Sequence, residues 1–184
     1  DGSTVVSGDF SNKVIVWEAA SGEKRREMAC DGGVTCVAVS ADGSTVVSAD
    51  FSRKVIVWEA ASGEKRREMA CDAGVTSVAV SADGSTVVSG DASFKVIVWE
   101  AASGEKRREM ECDGSVKSVA VSADGSTVVN GHSESRKLIV WEAASGEKRR
   151  EMQCVDRVRS VAVSADGSTV VSGDFSNKVI VWEA

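Results

Sequence analysis

The chain has 184 residues, 42% hydrophobic and 27% charged, a balance that supports a packed core and excludes extended disorder. No stretch approaches the ~18–20 apolar residues a membrane helix needs, and the first residues lack the charged and apolar regions of a secretory signal. A net charge of −6 argues against general affinity for nucleic acid, so neither nucleic acid nor membrane is expected as a partner.

The segment DGSTVV begins at residues 1, 42, 83, 124 and 166, a period of 41 with one residue added in the fourth unit. Few repeat architectures have that period. In chain order the second unit holds VTCVAVS (34–40), STVVSAD (44–50), KVIVWEA (54–60) and EKRREMA (64–70). The first three are rich in Val and small residues, and ADG and ASG punctuate the chain after the first and third. Runs this short and β-branched predict strands rather than helices.

In the third run Val55 and Val57 point one way and Ile56 and Trp58 the other. A sheet apolar on both faces must be covered on both, and stacking like sheets around an axis does so with one repeated interface. The charged fourth run suits the outermost strand, where Lys, Arg and Glu discourage pairing with another chain. The prediction is an all-β fold, a β-propeller of four-stranded antiparallel blades. Residues 34–70, 75–111 and 116–153 form complete blades, and 1–29 and 158–184 form partial ones, in a single array over 1–184.

The period, the passage SADGSTVVSG and the run KVIVWEAASGE resemble the WD-repeat β-propellers over the whole chain, with Trp-Glu where that family has Trp-Asp. Two departures stand out. The family's Gly-His before the innermost strand is absent, with Ala29, Cys30 and Asp31 in that region, and its Asp before the third strand is replaced by residues such as Ser11 and Asn12. The resemblance implies a buried hydrogen-bonded network of His, Asp, Ser and Trp, of which Ser7, Trp17 and their copies remain here.

The first partial blade lacks its inner strand and the last its outer one. Propellers of this type commonly close by combining strands from the two ends, so residues 158–164 are candidates to pair with the opening run. Residues 1–19 and 166–184 are identical, however, so two copies of one hairpin compete for one place; the two expectations are exchange between chains as a route to homo-oligomers and a segment cut from a longer array.

The units differ from one another in two places. The loop after the second strand reads GDFSNK, ADFSRK, GDASFK and GHSESRK, and the approach to the inner strand reads ACDGGVTC, ACDAGVTS, ECDGSVKS and QCVDRVRS. In an antiparallel meander both emerge on one face, while the invariant ADG and ASG loops emerge on the other. Loops that drifted freely would vary on both faces. The variable face is therefore the candidate recognition surface, as in repetitive WD arrays attached to some immune-type nucleotide-binding sensors. It offers Phe10, Asn12, Thr35, Phe51, Arg53 and Thr76 early in the chain, and Phe94, Lys117, His132, Arg136, Arg157 and Arg159 later. The later cations suit carboxylates or phosphates, which Arg engages bidentately.

Other motifs carry less. The KRR runs are bracketed by Glu and read as solvated edges rather than phosphate contacts. Cys30, Cys71, Cys112 and Cys154 follow the blade period, too far apart for disulfides, and with Cys36 they form no Cys-x-x-Cys metal pattern. They read as small, half-buried thiols that suit a reducing compartment such as the cytoplasm. His132, beside Ser133 and Glu134, reads as a surface-loop histidine, because neighbours in sequence do not make a triad. One Trp per unit reads as inter-blade core. Nothing in the sequence supports catalysis, a metal or a cofactor. The expected function is a noncatalytic scaffold binding a protein or peptide, with an anionic patch as ligand; the alternative is a structural or engineered repeat that self-assembles by exchanging its terminal hairpins.

Overall fold

The computed structural model describes residues 2–184; Asp1, included in the expected first partial blade, lies outside the described residues. All regular structure there is β. The opening sheet holds β1 (Thr4–Gly8), β2 (Lys13–Glu18) and β3 (Lys24–Ala29). Three four-stranded sheets follow: β4 (Val34–Val39), β5 (Thr45–Asp50), β6 (Lys54–Glu59) and β7 (Lys65–Ala70); β8 (Val75–Val80), β9 (Thr86–Asp91), β10 (Lys95–Glu100) and β11 (Lys106–Glu111); and β12 (Val116–Val121), β13 (Thr127–His132), β14 (Lys137–Glu142) and β15 (Lys148–Gln153). The closing sheet is β16 (Val158–Val163), β17 (Thr169–Asp174) and β18 (Val179–Glu183). Each is an antiparallel meander in sequence order, so these are three complete propeller blades between two partial ones.

Each junction between blades is the same two-sided wedge. From one blade come the second Val of the VV pair, both apolar residues of the third strand's forward flank and the Met of the fourth strand, as with Val47, Val55, Val57 and Met69. The next blade answers with its first Val and its Ile and Trp, here Val87, Ile97 and Trp99. The alternation in KVIVWE puts one set on each side, and full burial of a Val or Ile side chain contributes about 1.5–3 kcal/mol. The KRRE stretches of β3, β7, β11 and β15 lie exposed along the outer edge.

Turn chemistry keeps the invariant loops tight. Asp42 Oδ1 accepts from the Ser40 hydroxyl at 2.5 Å and from the Ser44 amide at 3.0 Å, which holds its pKa down to about 2. Gly43 has φ +73°, and a Cβ there would sit 2.7 Å from Thr4 Oγ1 of the preceding blade. Both conditions call for glycine.

The array is open. β16 pairs with β17 rather than with the opening strands, and the substantial contacts between blades run from β1 to β4 and then along β4, β8, β12 and β16. Closure through residues 158–164 is thus not the arrangement observed. The reason is local: β16 already has its own hairpin as partner, and that hairpin is identical in sequence to the opening one.

Candidate partner-binding face

An Asp at or just after the end of the second strand shapes the variable loop in every sheet but the fourth, where His132 takes the position. Asp91 Oδ1 accepts from the Ser93 amide at 2.9 Å, the Ser93 hydroxyl at 2.8 Å and the Lys95 amide at 3.1 Å; Asp50 and Asp174 hold Ser52 and Ser176 in the same manner. The chain then turns through a residue in the left-handed region: Asn12 at φ 67°, Arg53 at 64°, Phe94 at 70°, Arg136 at 55° and Asn177 at 63°. The carbonyls of the first four accept the amides of Cys30, Cys71, Cys112 and Cys154 in turn. The Phe51 amide donates to the Gly33 carbonyl at 3.0 Å, and Ala92, Ser133 and Phe175 repeat the bond with Gly74, Ser115 and Arg157. These bonds clamp the two variable loops side by side on one face.

Thr35, Thr76, Lys117 and Arg159 are equivalent. Each is the unpaired residue of a β-bulge at the start of an inner strand, a device that re-aims a side chain. The Thr76 hydroxyl lies 3.0 Å from the Gly90 carbonyl and 2.6 Å from the Val116 carbonyl of the next blade, and Thr35 bridges Ala49 and Val75 likewise. Those hydroxyls hold blades together. Lys117 and Arg159 instead stand exposed on neighbouring strands β12 and β16, which are tied by the Val161 amide donating to Ser118 Oγ at 3.2 Å.

Of the four phenylalanines on the face, Phe94 stands in the middle blade and the other three at the two ends. Phe10 and Phe51 are exposed and stack with centroids 5.9 Å apart and ring planes at 12°. Gly33 lies beneath them, where a Cβ would approach Phe51 Cδ2 to 3.2 Å and Phe10 Cα to 3.3 Å. At the other end the Arg159 guanidinium lies over Phe175 at 5.3 Å, a cation–π geometry. Phe175 is absent from the residues expected at this face, although its copy Phe10 is among them; the identity of residues 166–184 with 1–19 was the signal. Phe94, Arg53, Asn12, Arg136 and Arg157 are exposed. Lys117, Arg136, Arg157 and Arg159 have no carboxylate partner among the described residues.

His132 is not a surface-loop residue. It ends β13 at 0% exposure, in the position Asp50, Asp91 and Asp174 occupy elsewhere. Its Nδ1 lies 2.8 Å from Ser135 Oγ and 3.1 Å from Asp113 Oδ1. Burial pushes its pKa below the ordinary histidine value against the pull of Asp113. Glu134 does not float free either: its Oε2 accepts the Ser115 amide at 3.0 Å. The extra residue in this loop is thus absorbed by a His that supports the face from below.

Behind the face runs a chain of polar side chains. Trp58 Nε1 donates to Ser48 Oγ at 2.8 Å, and Ser48 Oγ lies 3.9 Å from Cys30 Sγ. Cysteine stands in the region where the resemblance implied His, so the network survives in shortened form. Burial raises the thiol pKa of all five cysteines, Cys36 and Cys71 to about 11 and Cys112 to about 12. They are protonated, free thiols with little nucleophilic character.

Stacked antiparallel meanders, each with its Trp indole donating to a Ser or Asn on the neighbouring strand, define a propeller-type repeat array. Residues 22–59, 63–100, 104–142 and 148–183 each match the family model described as "WD domain, G-beta repeat", and the chain belongs to the WD-repeat family. No curated protein matches the chain. Repeats of this family generally mediate protein–protein interaction as scaffolds and are typically noncatalytic.

Proposed function

We propose that the chain is a noncatalytic scaffold that binds an anionic peptide segment of a partner protein through the face carrying the variable loops. The observation that carries this reading is the placement of Arg53, Phe94 and Arg136 at left-handed φ. L-residues other than Asn, Asp and Gly are disfavoured there by about 1–2 kcal/mol, and the two identical hairpins use Asn12 and Asn177 at the same position. On the opposite face every such position is glycine, as at Gly43 and Gly84. Bulky and cationic side chains held in strained positions on one face only are what recognition favours and folding does not.

The charge argues for the ligand class. Lys117, Arg136, Arg157 and Arg159 cluster in the last two blades, and the nearby Glu134 and Asp156 carboxylates are engaged by backbone amides. His132, being buried, acts through the loop rather than by contact. Fluorescence anisotropy with a labelled polyglutamate peptide tests the reading. The wild type binds, Arg157→Glu combined with Arg159→Glu weakens binding at least about tenfold, equivalent to ~1.4 kcal/mol, and Arg67→Glu on the outer edge leaves it unchanged. Equal affinity in all three proteins, or an equal loss with Arg67→Glu, overturns it.

A further inference from the structure

We propose that the bound segment carries an aromatic side chain set apart from its acidic residues, and that this side chain stacks on the face of Phe51 turned toward Ala92. The inference rests on the anionic-peptide reading and gives that segment a second point of contact.

Equivalent junctions between blades differ here. The residue after the turn-shaping Asp or His is Phe10, Phe51, Ala92, Ser133 and Phe175 in successive units. At the first junction Phe10 and Phe51 stack at 5.9 Å beside a buried Gly33, inside the ~4.5–7 Å range of aromatic pairs. At the next, Phe51 stands to Ala92 as Phe10 stands to Phe51. Gly74, the equivalent of Gly33, is exposed there, with no atom beyond its chain neighbours within 4 Å of where a Cβ would stand. Phe51 is therefore covered by a ring on one face only and stays 66% exposed, although sheets lie on both sides of it.

The surroundings of the ring select its occupant. Rings on this face take either a second ring, as Phe51 takes Phe10, or a guanidinium, as Phe175 takes Arg159. Beside Phe51 a cation is opposed by Arg53, which is exposed two residues on and donates to the Asp72 carbonyl at 3.3 Å rather than to a carboxylate. An aromatic side chain meets no such repulsion. Phe51 is also held in place: its amide donates to the Gly33 carbonyl at 3.0 Å, and the Ser52 amide donates to Asp50 Oδ1 at 2.9 Å. A ring on so fixed a loop loses little freedom when it is covered.

The cations set the spacing. Lys117 and Arg159 lie two and three sheets beyond Phe51. Sheets pack ~10 Å apart and an extended chain rises ~3.3 Å per residue, so about six to nine residues separate the aromatic residue from the acidic run.

Three labelled peptides test this by fluorescence anisotropy, each a hexaglutamate joined through a Gly-Ser spacer of about eight residues to a terminal Trp, Ala or Arg. The wild type is expected to bind the Trp-ended peptide at least about tenfold tighter than the Ala-ended one. Phe51→Ser removes the platform, and Ala92→Phe fills the space with the side chain that Phe10, Phe51 and Phe175 already supply at that position; each is expected to bring the two affinities together. Both changes fall at exposed positions, and circular dichroism checks the fold. Equal affinity of the wild type for the Trp-ended and Ala-ended peptides overturns the proposal. So does a Trp advantage that survives Ala92→Phe, or an Arg-ended peptide bound as tightly as the Trp-ended one. The Ala-ended peptide reads the anionic contact alone: failure to bind it counts against the underlying reading, whereas binding it as tightly as the Trp-ended peptide counts against the aromatic contact only.

Discussion

Trp58 donates its indole N–H to Ser48 at 2.8 Å across neighbouring strands, and Trp17, Trp99 and Trp182 do the same to Ser7, Ser89 and Ser172. In the fourth blade Asn130 Oδ1 takes the role, accepting from Trp141 at 2.6 Å, with its amide nitrogen 3.7 Å from Cys112 Sγ. The acceptor, rather than the serine, is the conserved requirement of the geometry. Ser48→Ala leaves a buried indole N–H unpaired and is expected to lower stability by about 1–3 kcal/mol. Ser48→Asn is expected to cost less, since the equivalent blade accommodates it beside a cysteine. Urea denaturation of both variants checks the order, and an alanine variant as stable as wild type contradicts it.

Phe94 holds a left-handed φ that an L-residue adopts at a cost, a cost that the proposed recognition role accounts for. Phe94→Asn places at φ 70° the residue that Asn12 and Asn177 already supply, and is expected to raise stability by about 1 kcal/mol. The same change removes an exposed aromatic from the candidate face. A rise in denaturation midpoint with weaker peptide binding is the expected pair of results.

The pH dependence follows from His132. Its folded pKa lies below the ordinary value of 6.5 because burial penalises the imidazolium more than Asp113 favours it. On acidification the unfolded chain takes up this proton first, so the stabilisation is complete above ~6.5 and declines as pH falls through the depressed value. His132→Asn is expected to flatten that decline between neutral and mildly acidic pH. Identical slopes of stability against pH in wild type and variant would exclude the assignment.

Period-two alternation made the blade flanks legible in the sequence. Val55 and Val57 against Ile56 and Trp58 could be assigned to opposite sides without coordinates, and they lie in different inter-blade cores. The shared face of the two variable loops followed from meander topology. The role of His132 did not: it stands one 41-residue period after Asp91, but a lone His beside Ser133 and Glu134 reads as polar loop. Nor did the bulges that set Thr35 and Thr76 bridging between blades while Lys117 and Arg159 project. The bulge leaves a slight mark, the three-residue step from Val34 to Val37 that breaks the period-two alternation, but that step does not say which side chain is re-aimed.

Amide chemical shifts during titration with the polyglutamate peptide test the division of labour between the two faces most directly. The account predicts shifts concentrated at Lys117, Arg136, Arg157, Arg159 and the loops that carry them, with residues 42–44, 83–85 and 124–126 on the opposite face unmoved. Shifts centred on those invariant turns, or spread evenly over both faces, would contradict it.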